Sequence, residues 1–254
     1  MNFDQFDFSA FWVWFLIFTR LSGMFTSLPG VGTEQVPGII RLSSSLIISI
    51  VISMTGIQAP QASSIAEGLV MIGGEFLFGY LLGLIPQLII AGVAVAGQVT
   101  SGAIGLAQAS MVDPSLGTSV TVLAHVNSMV ATIIFLAVDG HHTVIRAASG
   151  DLGGIGAGVF RPNESIAAML VDRFEALFSM ALVMSAPILV TVLVTQFVFG
   201  IITKFVPKVN VFIVSFPLLV LLGIFLSDVT LPSMTKHVIS EFNEMSEYLG
   251  GIIS

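Results

Sequence analysis

Residues 69–95 read LVMIGGEFLFGYLLGLIPQLIIAGVAV, an apolar run longer than the ~20 residues that cross a bilayer as a helix. The run carries one carboxylate, Glu75, and it carries Gly79 and Gly83 at the GxxxG spacing that lets two helices approach closely. A charge at mid-bilayer depth costs roughly 2.5–3.5 kcal/mol and therefore usually faces protein or water. This stretch predicts a hydrophobic helix that packs largely against other protein.

Similar apolar runs recur along the chain, and three further charges, Arg20, Arg41 and Asp139, lie within or beside them. We predict an all-α, membrane-associated protein with about six long hydrophobic helices that bury much of their surface against protein. The predicted runs are residues 8–28, 39–57, 69–95, 121–138, 176–202 and 211–231.

The composition supports this class and excludes several functions. The chain is 55% hydrophobic and only 9% charged, whereas soluble domains carry about 25% charged residues. It has no cysteine, which removes disulfides, thiolate metal sites and cysteine nucleophiles. Its net charge is −7 and it has no basic cluster, so we expect no nucleic-acid binding.

The character of the chain changes near residue 233. Val238, Phe242, Met245, Leu249 and Ile252 fall at a/d heptad spacing with glutamates between them. The sequence therefore predicts an amphipathic C-terminal helix over 233–254, following a hydrophobic helical core over 1–232. This helix could dock on its own chain, which is the favoured interpretation, or on a partner.

Two connections carry local signals. Ser64 and Glu67 have the spacing of a capping box that opens the third helix. Lys204 lies where the fifth run ends, Pro207 follows it, and Asn210 is placed to cap the sixth helix. Lys204, Pro207 and Asn210 thus predict a tight hairpin link that needs no further function.

No catalytic motif is present: HExxH, GxSxG and the phosphate-binding P-loop are all missing. The glycine-rich segment 150–158 lacks the GK[ST] of a P-loop, so we interpret it as a flexible loop. His141 and His142 invite a metal hypothesis, but adjacent helical residues point ~100° apart and no second ligand cluster is visible. A cap or polar contact is favoured, and we predict no enzyme activity, catalytic residue, cofactor or metal.

Glu75 and the small residues each leave two interpretations open. Glu75 could be the proton-coupling carboxylate of a secondary transporter, with Asp139 and the two histidines as its only candidate relay partners. The favoured alternative is a hydrogen-bonded contact between helices. Gly79, Gly83 and Gly97 could likewise serve close packing inside the subunit, which is favoured, or packing between subunits.

Several segments, in this order and spacing, resemble the FliR family of flagellar biosynthesis proteins, whose virulence-system counterparts belong to type III secretion. The resemblance runs over most of the chain rather than one motif. The matching segments are residues 75–83, 96–105, 111–114, 135–142, 186–187, 200–207, 210–212 and 216–217.

The resemblance implies a core structural subunit of the flagellar type III export gate, a channel for unfolded flagellar subunits in the bacterial inner membrane, within the flagellar basal body. The whole chain, 1–254, would then be one export-gate domain, its helices packed as hairpins in a helical hetero-oligomer with FliP and FliQ. FlhB, FlhA and proximal rod proteins are further implied partners, exported subunits are transient cargo, and lipid surrounds the assembly. Such packing would explain the charges within the apolar runs.

The resemblance also implies a pore plug in the connection 105–114. Its residues here are Gly105, Ala107, Gln108, Met111, Val112 and Asp113. Relatives often carry aromatic residues where this chain has Gln108 and Met111. We choose Met111 as the sealing side chain, because a flexible thioether fills irregular gaps.

Overall fold

The computed structural model describes residues 8–32, 36–105, 120–150, 155–205 and 211–253, and all regular structure within these ranges is α-helical. This confirms the all-α prediction. The helices are α1 (Phe8–Ser27), α2 (Gly38–Ser53), α3 (Ile65–Ala103), α4 (Val120–Ala137), α5 (Gly140–Ser149), α6 (Glu164–Phe205) and α7 (Val211–Ile253).

Four of these helices, α1, α3, α6 and α7, are long and apolar enough to cross a membrane. A fifth span is formed if α4 and α5, which are bent by 62° at a short break, count as one. Each of the six predicted runs overlaps a helix, and the second run yields only the 16-residue helix α2. That helix ends at Ser53, and Gly56 shortly afterwards adopts a left-handed φ of +82°.

Helix α7 continues through residue 233, where the sequence changes to an amphipathic pattern, and it contains Pro217 and Pro232. A proline removes one helical hydrogen bond and tends to kink a helix, but neighbouring structure can compensate for the lost bond.

The apolar face predicted for the C-terminal segment is buried in the chain. Val238, Phe242, Met245 and Leu249 are all buried, and the Phe242 ring lies 5.2 Å from that of Phe135. The side chain of Ile252 lies outside the described residues. The C-terminal segment therefore docks on its own chain.

The start of α3 has most of the predicted capping box. The Ser64 hydroxyl accepts the Glu67 backbone N–H at 3.2 Å, as expected of an N-cap. The Glu67 carboxylate reaches one residue further back than the standard box, and accepts the backbone N–H of Ser63 at 2.7 Å. The chain direction into the long third helix is thus fixed by side chains next to it.

The described residues group into two compact units, each considered by itself. The first lies within Met1–Leu88, Phe135–Arg173 and Phe242–Ser254, and the second within Ile89–Ile134 and Phe174–Glu241. In the first unit α1 packs on α2, with Leu16, Leu21, Met24 and Phe78 fully buried. In the second, a core cluster is formed by Ile104, Ile188, Val192 and Leu219.

Candidate functional site

The first unit contains a buried ion pair between α1 and α3. Nε of Arg20 donates to Oε2 of Glu75 at 2.5 Å, and the two side chains are 4% and 0% exposed. Both residues interrupt apolar helices in the sequence, and the structure brings them together. Since unpaired charges are very unfavourable in a desolvated interior, each residue explains the presence of the other.

The remaining polar atoms of the pair bind the chain segment at and beyond the end of α5. Nη1 of Arg20 donates to the Ala148 carbonyl at 3.0 Å, and Nη2 donates to those of Ile155 and Gly156 at 3.1 and 3.2 Å. Oε1 of Glu75 accepts the Gly158 N–H at 2.7 Å. We call Arg20, Glu75 and these four backbone groups the buried polar centre.

Aromatic rings cover this centre. The Arg20 guanidinium carbon lies 4.7 Å from the centroid of the Phe78 ring, a distance at which a cation is attracted to the ring face. The Phe78 ring in turn lies 4.9 Å from that of Phe160. Both phenylalanines are fully buried, so water is excluded and the electrostatic interactions are strengthened.

Glycines let α1 and α3 approach closely enough to form the centre. A methyl group at Gly79 would overlap the backbone carbonyl oxygen of Arg20, and one at Gly23 would overlap that of Phe76. A methyl group at Gly83 would lie 2.7 Å from the Met24 carbonyl oxygen. The GxxxG pair thus lies at a backbone-to-backbone crossing inside the chain.

Gly97 occupies a comparable position in the second unit. A methyl group there would lie 2.7 Å from Cα of Ala124 in α4 and 3.0 Å from the Asn127 amide nitrogen. Only a glycine fits this crossing without a shift of the neighbouring backbone.

The buried polar centre can hold three chain segments together, and its groups are fully engaged. Each carboxylate oxygen of Glu75 already accepts a hydrogen bond, one from Arg20 and one from Gly158. It contains neither a nucleophile paired with a base nor a set of metal ligands. Its arrangement therefore fits a structural lock.

The backbone partners of this centre are not identifiable from the sequence. Segment 150–158 was interpreted as a flexible loop, whereas its described part, from Ile155 onward, is bound by both charged side chains. Gly158 has a φ of +79°, which aims its N–H at Glu75 in a conformation that favours glycine. The high glycine content of the segment was the only sequence feature that indicated a backbone conformation of this kind.

The two histidines lie at the break between α4 and α5. His142 Nδ1 is 3.2 Å from Oδ1 of Asp139, and the His141 and His142 ring centroids are 4.1 Å apart. The structure places the carboxylate of Asp139 beside the two histidines.

The predicted plug and hairpin link are described only at their edges. Gly105 is buried with a φ of +87°, and Ala107, Gln108, Met111, Val112 and Asp113 lie outside the described residues. Lys204 is exposed in the last turn of α6, while Pro207 and Asn210 also lie outside the described residues.

Comparison with known proteins gives a match to the family described as "Bacterial export proteins, family 1" over residues 11–245. The chain is 29% identical to the flagellar biosynthetic protein FliR of Bacillus subtilis (strain 168), with 80% of each chain covered. It is 27% identical to FliR of Caulobacter vibrioides, covering 91% of this chain and 92% of the relative. It is also 22% identical to the Yop proteins translocation protein T of Yersinia pestis, over 80% of this chain and 79% of the relative.

These similarities confirm the predicted resemblance and the predicted class of function, a subunit of the flagellar type III export apparatus. None of these relatives supports the alternative of a proton-coupled transporter. With the match extending from α1 almost to the end of α7, the chain belongs to the bacterial export proteins, family 1.

Proposed function

We propose that this chain is a core structural subunit of the gate through which unfolded flagellar subunits are exported, and that it catalyses no reaction of its own. The observation that carries the proposal is the family match over residues 11–245. We place the gate in the bacterial inner membrane at the flagellar basal body, and we treat 1–254 as a single export-gate domain.

The exposed apolar faces of α6 and α7 support a role in an assembly. In their most apolar windows, only 33% of the residues in α6 and 11% of those in α7 are buried. Phe197 is 70% exposed, and Leu221 and Phe225 are 71% and 63% exposed. Such a surface requires lipid or partner chains to cover it.

We propose FliP and FliQ as the partner chains on these faces, in a helical hetero-oligomer. FlhB, FlhA and proximal rod proteins would contact the completed gate, and exported subunits would pass through it as transient cargo. Polar centres such as that of Arg20 and Glu75 would lie inside the protein, and the outer apolar surface would meet lipid.

The native mass of the assembly tests this proposal. The full chain is co-expressed with its two proposed partners and purified in mild detergent, and the mass of the intact complex is measured. We expect one copy of this chain within a larger hetero-oligomer. A monomer or small homo-oligomer that ignores both partners would contradict the proposal.

A clean deletion in the source bacterium distinguishes a flagellar gate from a virulence secretion gate. The flagellar relatives described above are more similar to the chain than the Yersinia protein is, which favours the flagellum. We expect the deletion to abolish filaments and the intact gene to restore them. Normal filaments on the deletion strain would refute the flagellar assignment.

We further propose that residues 105–113 close the channel, with Met111 as the sealing side chain. The residue just before this connection, Ile104, is buried against Ile188, Val192 and Leu219. This burial supports a connection whose first residue is held in place by the core. Deleting residues 107–111 should make the assembled gate leak small molecules. Unchanged ion permeability of the deleted gate would remove the plug from the mechanism.

A further inference from the structure

A compact group of potential metal ligands lies at the break between α4 and α5. Asp139, His141 and His142 each offer one ligand atom, and these atoms all lie within 4.8 Å of one another. None of its residues belongs to the buried polar centre, and the proposed export function does not use it.

The backbone at the break explains why spacing alone did not predict this group. Asp139 has a φ of +56° and a ψ of 27°, the left-handed conformation that few residues other than glycine adopt. This conformation lies at the 62° bend between α4 and α5, and Asp139 directly precedes the first turn of α5. The two histidine rings lean together over the same turn.

The three side chains are available to a ligand. Within the described part of the chain, Nδ1 of His141 is buried and has no hydrogen-bond partner. The side chains of His142 and Asp139 are 63% and 73% exposed, which leaves a route for an ion from solvent. The contact between His142 and Asp139 uses one ring nitrogen and one carboxylate oxygen. The second ring nitrogen of His142 and the second oxygen of Asp139 can each bind a metal.

We propose that Asp139, His141 and His142 bind one divalent transition-metal ion, with zinc the best fit. Two imidazoles and one carboxylate suit zinc, whereas magnesium and calcium prefer oxygen ligands alone. Neighbouring ligands of a tetrahedral zinc lie about 3.4 Å apart, as follows from zinc–nitrogen bonds of about 2.0–2.1 Å. Small rotamer changes of the exposed His142 and Asp139 side chains would close the group onto the ion, with a fourth position open to water.

Such an ion would hold the first turn of α5 to the residue before it. The last turn of the same helix is already held, through the Ala148 carbonyl, by Arg20. The metal and the ion pair would then fix opposite ends of one short helix.

Direct metal binding tests the proposal. The full chain, purified in mild detergent with a histidine-free tag and stripped with a chelator, is titrated with Co²⁺ and then with Zn²⁺. We expect one ion per chain, a visible absorption band of four-coordinate cobalt, and loss of that band when zinc displaces cobalt. Failure of the wild-type chain to bind one equivalent of either ion would overturn the proposal.

Two variants test the ligands Asp139 and His142, and a third serves as the control. Asp139→Gly removes the carboxylate while tolerating the left-handed backbone, and His142→Ala truncates an exposed side chain. Loss of an outer-shell contact weakens metal affinity about 10–100-fold, so loss of a ligand should exceed about 100-fold. The control His125→Ala changes an exposed histidine outside the group and should bind like the wild type.

A thermal readout separates binding from folding. Zinc should raise the unfolding midpoint of the wild type and of the control, because a ligand that binds only the folded state stabilises it. The midpoints of Asp139→Gly and His142→Ala should not respond to zinc. Wild-type affinity in both of these variants would refute the proposed ligands, even if one variant folded poorly.

Discussion

Replacing Glu75 with glutamine tests whether the buried polar centre depends on opposite charge. The substitution preserves size but leaves the Arg20 guanidinium, only 4% exposed, without its carboxylate at 2.5 Å. Removing one partner of a buried ion pair costs about 3–5 kcal/mol. For a chain of this length each kcal/mol lowers the unfolding midpoint by roughly 2–4 °C, so we expect a decrease of about 6–20 °C.

The reciprocal change, Arg20→Met, should have a similar effect because it strands the carboxylate and frees the carbonyls of Ala148, Ile155 and Gly156. The double variant should lose less than the sum of the two single losses, since each single change already includes the penalty of a stranded charge. We expect a coupling free energy of up to about 3 kcal/mol. The double variant will still fall below the wild type, because three backbone carbonyls lose their donor.

Tryptophan fluorescence in detergent measures the unfolding transitions of the wild type, the two single variants and the double variant. It is a suitable probe because Trp12 and Trp14 lie on the same helix as Arg20. Glu175→Gln is the matched control: it neutralises an exposed glutamate and should change stability by less than about 0.5 kcal/mol. The reasoning fails if the effects of Arg20→Met and Glu75→Gln are additive to within about 0.5 kcal/mol.

Three further substitutions test local packing. Gly79→Ala should destabilise the chain by about 1–3 kcal/mol, because the added methyl overlaps backbone; Gly73→Ala, on an open face of the same helix, should be neutral or stabilising. Gly223→Ala should also destabilise the chain by about 1 kcal/mol or more, because the added methyl meets the buried side chain of Ile104. Its control is Gly200→Ala, where the added methyl meets no other atom. Equal unfolding midpoints for a glycine variant and its control, in either the Gly79/Gly73 or the Gly223/Gly200 pair, would contradict the packing argument. Ser64→Ala should cost about 1 kcal/mol through loss of the cap on α3, with faster amide exchange in its first turn; unchanged exchange would reject that role.

The sequence predicted most of the long helices because their apolar runs exceed the spanning length. It did not predict the end of α2 or the continuity of α7. Both depend on contacts with the surrounding structure, which decide whether a turn ends a helix and whether a helix continues past a proline. The amphipathic pattern begins near residue 233, yet Pro232 lies inside α7, since a proline within a helix is tolerated where the surrounding structure compensates for its missing bond.

The sequence identified Arg20 and Glu75 as unusual but could not pair them. They are 55 residues apart, and hydropathy indicates which residues face protein without indicating which helix they meet. The left-handed backbone of Asp139 is likewise not encoded in the spacing of the histidines. Glycines were the informative residues, because Gly79 and Gly158 mark positions where a side chain would not fit or would be strained.

The buried polar centre has a consequence for the order in which the chain can mature during synthesis. Arg20 leaves the ribosome 55 residues before Glu75 and 136 residues before Gly156. Until those later segments emerge, the first hydrophobic helix carries a cation with no internal partner, which disfavours its burial in lipid or protein. A chain interrupted before Glu75 would therefore keep an unneutralised charge in its first helix, and one interrupted between Glu75 and Gly158 would keep an ion pair that lacks its later backbone partners.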